Sequence, residues 1–211
     1  AIDNRREWSD AKAQRSAQDA FDRLFDLKWT PPGRGLWMMG TPFVHERKTP
    51  EALMNCAFVS TKKLSENPGE PFAWAMEKLM LGVGVGFDTN GAKSVTIRAT
   101  QSNIGMLPKK FVIPDSREGW VDSVKRLINY YLFKGSLEPE FDYSQIRVRG
   151  TAITGFGGVA SGPEPLIELH NGIRSVFSKS AGKTLSARHI VDAMNMIGKC
   201  VVAGNVRRSA E

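Results

Sequence analysis

An α/β fold with parallel strands is the class that this sequence predicts, and three observations predict it. Short apolar, strand-like runs alternate with longer segments whose apolar residues recur every three or four positions. Glycine- or proline-containing stretches mark most of the changes from one to the other. The 211 residues, 41% hydrophobic and 24% charged, are enough for one large domain or two small ones with a sizeable core.

Ser9 to Leu27 reads as a helix, with Ser9 as N-cap and Ala17, Phe21, Leu24 and Phe25 on one face. TPPGRG, residues 30–35, ends it. LWMMGTPF leads into a loop, and LMNCAFVST around Cys56 reads as a short buried strand. Pro71 to Leu81 (PFAWAMEKLML) returns to helical spacing, and GVGVGFDTNG follows as glycine-rich, strand-like backbone. KFVIPD is strand-like, and Asp115-Ser116 caps a helix running to about Phe133 with Val121, Val124, Leu127, Ile128 and Tyr131 as its stripe. SQIRVRG alternates like a strand. GTAITGFGGVASGPEP then opens a helix bearing Leu166, Leu169, Ile173 and Val176, with Pro163 and Pro165 tolerated at its beginning. Ser186 can cap the last helix, whose Ile190, Val191, Met194 and Ile197 point one way.

Composition narrows the function classes. Lys+Arg 29 against Asp+Glu 22 gives a net charge of +7, which suits a phosphate-bearing ligand and equally suits a soluble basic protein. The charges form no long basic block and are not interleaved with aromatics, so stable nucleic-acid binding is not expected. No apolar run approaches the roughly 18 residues of a membrane span, and AIDNRREWSD lacks the apolar core of a signal peptide. A cytoplasmic protein with no membrane partner is expected. Cys56 and Cys200 lie far apart and belong to no CxxC or Cys/His spacing. With His45, His170 and His189 equally scattered, no metal site is expected.

Several single motifs fail on spacing. AGKTLS, residues 181–186, has the tail of a phosphate loop, but the required earlier glycine falls at Phe177. GVGVGF follows a helix and does not link a strand to a helix, which suits a close-packed strand better than a dinucleotide fingerprint. Ser161 in GGVASGP has no glycine two residues before it, so a nucleophile elbow is unsupported.

Taken together, NCAFVST, GVGVGFDT, PDSREGW, GFGGVASGPEPL and IGKCVVAGNVRRSAE resemble, in order and spacing, the adenosylcobalamin-dependent (class II) ribonucleotide reductases, nearest to the monomeric ribonucleoside-triphosphate reductases. The resemblance runs from about Asp19 to the last residue. It implies part of a ten-stranded α/β barrel with a preceding helical segment and an effector-binding insertion. Residues 1–35 would end the helical N-terminal region, 36–91 carry the first barrel strands and helix, 92–149 the insertion, and 150–211 the barrel's continuation.

The resemblance also implies chemistry. The family removes a ribose 2′-hydroxyl by thiyl radical chemistry begun by adenosylcobalamin, while two further cysteines supply reducing equivalents and become a disulfide. Cys56 corresponds to one of that pair, whereas Cys200 matches no family role and reads as structural. The partner cysteine, the thiyl cysteine and most of the corrinoid-binding surface correspond to sequence outside this chain, which alone cannot complete the reaction. Thr41 corresponds to a position beside the substrate phosphates, with Asn55 as a further polar contact. Asp115, Ser116 and Arg117 correspond to residues meeting a deoxynucleotide effector's ribose and base, and Arg147 and Arg149 to residues meeting its triphosphate. Gly204, Asn205, Val206, Arg207 and Arg208 resemble the loop that couples effector to substrate choice, with Arg207 reaching the substrate and Arg208 doing so or pairing structurally. The implied partners are a ribonucleotide substrate, a deoxynucleotide effector, the remaining C-terminal portion of the reductase and a thioredoxin-type reductant. A non-catalytic nucleotide-binding regulatory module is the alternative built from the same residues.

Overall fold

The computed structural model describes residues 9–46, 50–98, 110–133, 138–152 and 159–203. Helix α1 (Asp10–Phe25) begins where Ser9 accepts the amide of Lys12. Its apolar positions do face one way, with Phe21 and Phe25 stacked at 6.0 Å, but the helix buries none of its residues. α1 ends before TPPGRG is reached, at Phe25 with Asp26 as C-cap and Leu27 in the left-handed region (φ 55°), and the last residues of TPPGRG instead enter a second helix, α2 (Gly33–Met38). Thr41 is the N-cap residue of the short α3 (Pro42–His45), and a 3-10 turn over Pro50–Leu53 follows. Met38, Val44 and Ala52 form a small apolar cluster that holds these pieces together.

Strand β1 (Cys56–Val59) and strand β2 (Gly84–Phe87) pair in parallel, joined by helix α4 (Glu70–Met80) as the crossover. A parallel pair needs such a connection, so the expected α/β arrangement is present. β1 departs from the expected buried strand. Cys56 and Phe58 on one face are exposed, Phe58 to 62%, while Ala57 and Val59 are half-buried. Alternation explains this: α4 covers one face of the pair, and among the described residues nothing covers the other.

The carboxyl ends of the two strands are latched by side chains. Asp88 Oδ1 accepts both the amide and the hydroxyl of Thr61 at 2.8 Å, and Thr61 Oγ1 in turn accepts the amide of Gly91 at 2.9 Å. Thr61 is fully buried, so these bonds satisfy a hydroxyl that would otherwise destabilise the core. Burial opposes the charge on Asp88, but hydrogen bonds from Ser60, Thr61 and Asn90 prevail and hold its carboxyl far below the usual range.

A second parallel pair joins β3 (Lys110–Val112) to β4 (Glu140–Asp142), with helix α5 (Arg117–Leu132) between them. The strand lies at 140–142, and SQIRVRG, expected as a strand, is a run of turns. In that run Ile146 turns into the core while Val148 and Arg149 stay exposed. Helix α6 (Glu164–Ser178) carries Pro165 in its first turn, where the missing amide costs nothing. Helix α7 (Ala187–Ala203) is capped by Ser186, whose Oγ accepts the amide of His189 at 3.3 Å while its own amide donates to His189 Nδ1 at 3.0 Å.

The core lies among the helices. α4 packs on α5 and α7, and α6 packs on the same two. Phe72, Met76 and Leu79 of α4, Val124, Leu127 and Ile128 of α5, Leu166 and Ile173 of α6, and Ile190 and Ile197 of α7 are sealed from water. Each such large side chain contributes about 1.5–3 kcal/mol by burial. Gly69 permits a close approach of α4 to α5, since a Cβ there would lie 2.8 Å from the Lys125 carbonyl of α5. Its amide donates to Asn129 Oδ1 at 2.8 Å, fixing the start of α4 on α5.

Candidate functional site

Cys56 is the first residue of β1 and is exposed, so its thiol opens onto the uncovered face of the β1–β2 pair. Its register partner is Gly84, which brings no side chain to that face. The strand pairing begins beside it, with the Gly84 amide donating to the Asn55 carbonyl at 2.9 Å. Asn55, immediately before β1, is exposed. Cys200, in contrast, is 3% exposed in α7, where burial pushes its thiol up to about 12. Only Cys56 of the two has the access a reactive thiol needs.

Thr41 precedes α3, and its hydroxyl donates to the Met38 carbonyl at 2.7 Å, tying it back to α2. α2 is joined to the chain leading into β1 by Arg34. Its Nη1 donates to the carbonyls of Ala52, at 3.3 Å, and Leu81, at 3.1 Å, and its Nη2 donates to the carbonyl of Gly82. In the sequence Arg34 stands between Gly33 and Gly35, in a stretch that signals only a helix boundary. Near it, Lys78 lies 3.5 Å from Glu51 and 3.2 Å from Glu77. Glu51 is held below the usual carboxylate range by its own backbone amide, with Lys78 and the more remote Arg117 adding to the effect against burial.

The second group of expected residues gathers at the start of α5. Ser116 is the N-cap, accepting the amide of Gly119 at 3.0 Å. Asp115 and Arg147, 32 residues apart, meet in an ion pair of 2.6 Å, so β3, β4 and the turns after β4 bring them together. Arg117 pairs with Glu118 at 2.7 Å, and its Nε is buried without a hydrogen-bond partner. Arg149 stands exposed two residues beyond Arg147. Gly204, Asn205, Val206, Arg207 and Arg208 lie outside the described residues.

The three histidines divide by environment. His170 is completely buried, stacked on Phe141 at 4.3 Å and hydrogen-bonded through both ring nitrogens. Ser123 donates to the Trp120 carbonyl at 2.7 Å, so it accepts from His170 Nε2 at 3.0 Å, and Tyr143 donates to Nδ1 at 2.7 Å. Burial, then the charge of Arg174, pushes His170 down to about 3, so it is a neutral core residue. His189 likewise uses both nitrogens, on Ser186 and on Ser180. His45 is exposed at the end of α3. Among the described residues no three His, Cys, Asp or Glu side chains converge on a metal position, and no helix is long and apolar enough to cross a membrane.

Comparison with known proteins gives one family. Residues 90–177 match the family model described as B12-dependent ribonucleotide reductase, insertion domain, and residues 1–41 match the ribonucleotide reductase alpha domain. A probable adenosylcobalamin-dependent ribonucleoside-triphosphate reductase of Dictyostelium discoideum is 48% identical across 97% of this chain, which spans 29% of that protein. The adenosylcobalamin-dependent ribonucleoside-triphosphate reductase of Euglena gracilis is 49% identical across 97% of this chain and 28% of its own length. That of Lactobacillus helveticus is 33% identical across 95% of this chain and 34% of its own length. In three dimensions, a crystal structure of a B12-dependent (class II) ribonucleotide reductase superposes with a TM-score of 0.75 at 28% identity, covering 96% of this chain and 35% of the other. The α/β fold is thus a part of the larger fold of that enzyme. Spanning about a third of the length of the relatives it matches, this chain belongs to the adenosylcobalamin-dependent, class II ribonucleotide reductase family.

Proposed function

We propose that this chain is the part of an adenosylcobalamin-dependent ribonucleoside-triphosphate reductase that supplies one reducing thiol, part of the substrate's phosphate site and the effector site. The observation that carries the reading is Cys56, exposed at the beginning of a parallel strand on a face left open beside Gly84. In the overall change, one ribonucleotide and two thiols give one 2′-deoxyribonucleotide, one water and one disulfide. The 2′-hydroxyl leaves as water with a proton from the thiol pair, carbon 2′ gains hydrogen, and the two sulfurs join. Cys56 is one of those sulfurs, and its partner belongs to the rest of the reductase. Adenosylcobalamin, when bound, supplies the radical that begins the reaction. Its site belongs mainly to the rest of the reductase, outside this chain.

The remaining assignments follow the same reading. Thr41 and Asn55 meet the substrate, and Arg207 reaches it from the coupling loop 204–208. Asp115, Ser116 and Arg117 meet the ribose and base of a deoxynucleotide effector, where the amides at the start of α5 favour an anion. Arg147 and Arg149 meet its triphosphate; Arg147 exchanges the Asp115 carboxylate for phosphate oxygens, which suit its fork equally well. Residues 1–35, 36–91, 92–149 and 150–211 act as the helical segment, the first barrel strands, the effector-binding insertion and the continuing barrel. A cytoplasmic location and a thioredoxin-type reductant fit a thiol pair that must be returned to the reduced state.

A complete polypeptide containing this segment, given adenosylcobalamin and a dithiol, is expected to convert ribonucleoside triphosphates to deoxynucleotides, with a substrate preference that changes when a deoxynucleotide is added. Deoxynucleotide binding without any reduction would instead identify a regulatory module.

A further inference from the structure

Arg34 makes contacts that its position in a six-residue helix does not require. Its guanidinium gathers three backbone carbonyls from two segments, 18 residues away at Ala52 and 47 and 48 residues away at Leu81 and Gly82. Ala52 belongs to the 3-10 turn that leads into Cys56. Gly82 lies in the turn that leads into Gly84, the residue opposite Cys56 in the strand register. One planar group therefore fixes the amino-terminal ends of both strands, immediately before the rung at which Gly84 meets Asn55. Leu81 is the C-cap of α4, where carbonyls point outward and the helix dipole is negative, so a cation is favoured there. The helix that carries Arg34 ends at Met38, the carbonyl of which holds the hydroxyl of Thr41. Thr41 is thus tied through α2 and Arg34 to the two segments that lead into β1 and β2.

We propose that Arg34 is a positioning residue, which fixes the Cys56 thiol relative to the Thr41 segment so that the substrate's phosphates and its reacting ribose carbon are held at the separation the reduction needs. This rests on the reading of Cys56 and Thr41 above. The role is indirect, exerted through the backbone carbonyls that the guanidinium holds. Its fork reaches three acceptors at once, which a lysine ammonium at the end of a flexible stem cannot reproduce in the same geometry. Losing it lets β1 shift against α2, and a displacement of about 1 Å at a reacting group costs about a hundredfold in rate. The phosphates still find their own contacts, so the loss falls on turnover more than on substrate affinity.

The test uses the complete reductase with its cofactor. Arg34→Met is expected to lower kcat about ten- to a hundredfold with KM changed less than about threefold, and to alter the alkylation rate of Cys56, followed by peptide mass mapping, several-fold. Arg34→Lys is expected to recover part of kcat. Leu169→Ala, a core change in α6 remote from these residues, lowers the melting temperature and is expected to leave kcat intact below that temperature. A normal kcat with unchanged Cys56 alkylation in Arg34→Met overturns the inference, as does a loss no larger than in Leu169→Ala at matched stability. Should Arg34→Met fail to accumulate, Arg34→Lys decides: a several-fold fall in kcat at a melting temperature near the parent's supports the role, and an unchanged kcat overturns it. Cys56→Ser separates the two claims. If Cys56→Ser is inactive and Arg34→Met is normal, only the positioning role fails; if Cys56→Ser turns over normally, the underlying reading fails.

Discussion

At the scale of single residues, His170 shows how a potentially reactive group is made structural. Both nitrogens are satisfied and the ring is sealed between Phe141 and the helices, so protonation would break the bond that Nδ1 accepts from Tyr143. In the unfolded chain the imidazole takes up a proton near its ordinary 6.5, and in the folded protein only near 3. Between those values the unfolded state binds more protons, so stability is fully present above pH 6.5 and is progressively lost as pH falls toward 3. Urea midpoints measured across that window should fall with pH, and the fall should be smaller in a His170→Gln variant. Ser123→Ala removes the acceptor for Nε2 and is expected to cost about 1–3 kcal/mol in the same measurement at neutral pH. The two cysteines are separated by equally local causes. Iodoacetamide should label Cys56 in the native protein and leave Cys200 unmodified until unfolding, since one is exposed and the other is buried with its thiol pushed up to about 12.

At the scale of elements, the long helices were legible in the sequence because they display a period, whereas α2 and α3, with six and four residues, do not. Of the stripes expected for α5 and α7, all but the half-buried Val121 and Val191 are buried, and Ser9, Ser116 and Ser186 all cap the helices they precede. Short strands were less legible. β4 has three residues, too few to establish alternation, and its Phe141 is held by contacts to His170 and Arg174 that are distant in sequence. SQIRVRG alternates for another reason: Ile146 packs inward while Arg147 is drawn to Asp115. The latch at the ends of β1 and β2 depends on a glycine, because a Cβ at Gly91 would lie 2.3 Å from the Thr61 carbonyl and 2.5 Å from Leu64 Cδ1. Gly91→Ala should therefore destabilise by about 1–3 kcal/mol in chemical denaturation, with overpacking as the cause. Ser116→Ala should cost about 0.5–2 kcal/mol through the lost cap and should also weaken deoxynucleotide binding, measured by calorimetry.

At the scale of the whole molecule, the distribution of exposed apolar surface follows the division between framework and site. The four-helix core is sealed, while Cys56 and Phe58 face outward from the β1–β2 pair and α1 presents Phe21 and Phe25, the latter 78% exposed. The role proposed for Cys56 is legible only through the family motif around it, since a single thiol in a strand names no reaction by itself. The meeting of Asp115 with Arg147 and the reach of Arg34 were not legible, because both join segments far apart in the chain through the backbone path between them. The central claim is that this segment brings a reducing thiol to a ribonucleotide. Its most direct test is multiple-turnover reduction by the complete reductase carrying Cys56→Ser, with adenosylcobalamin and a dithiol present. The account predicts that sustained turnover is lost while nucleotide binding is retained, and sustained reduction at the parent rate would contradict it.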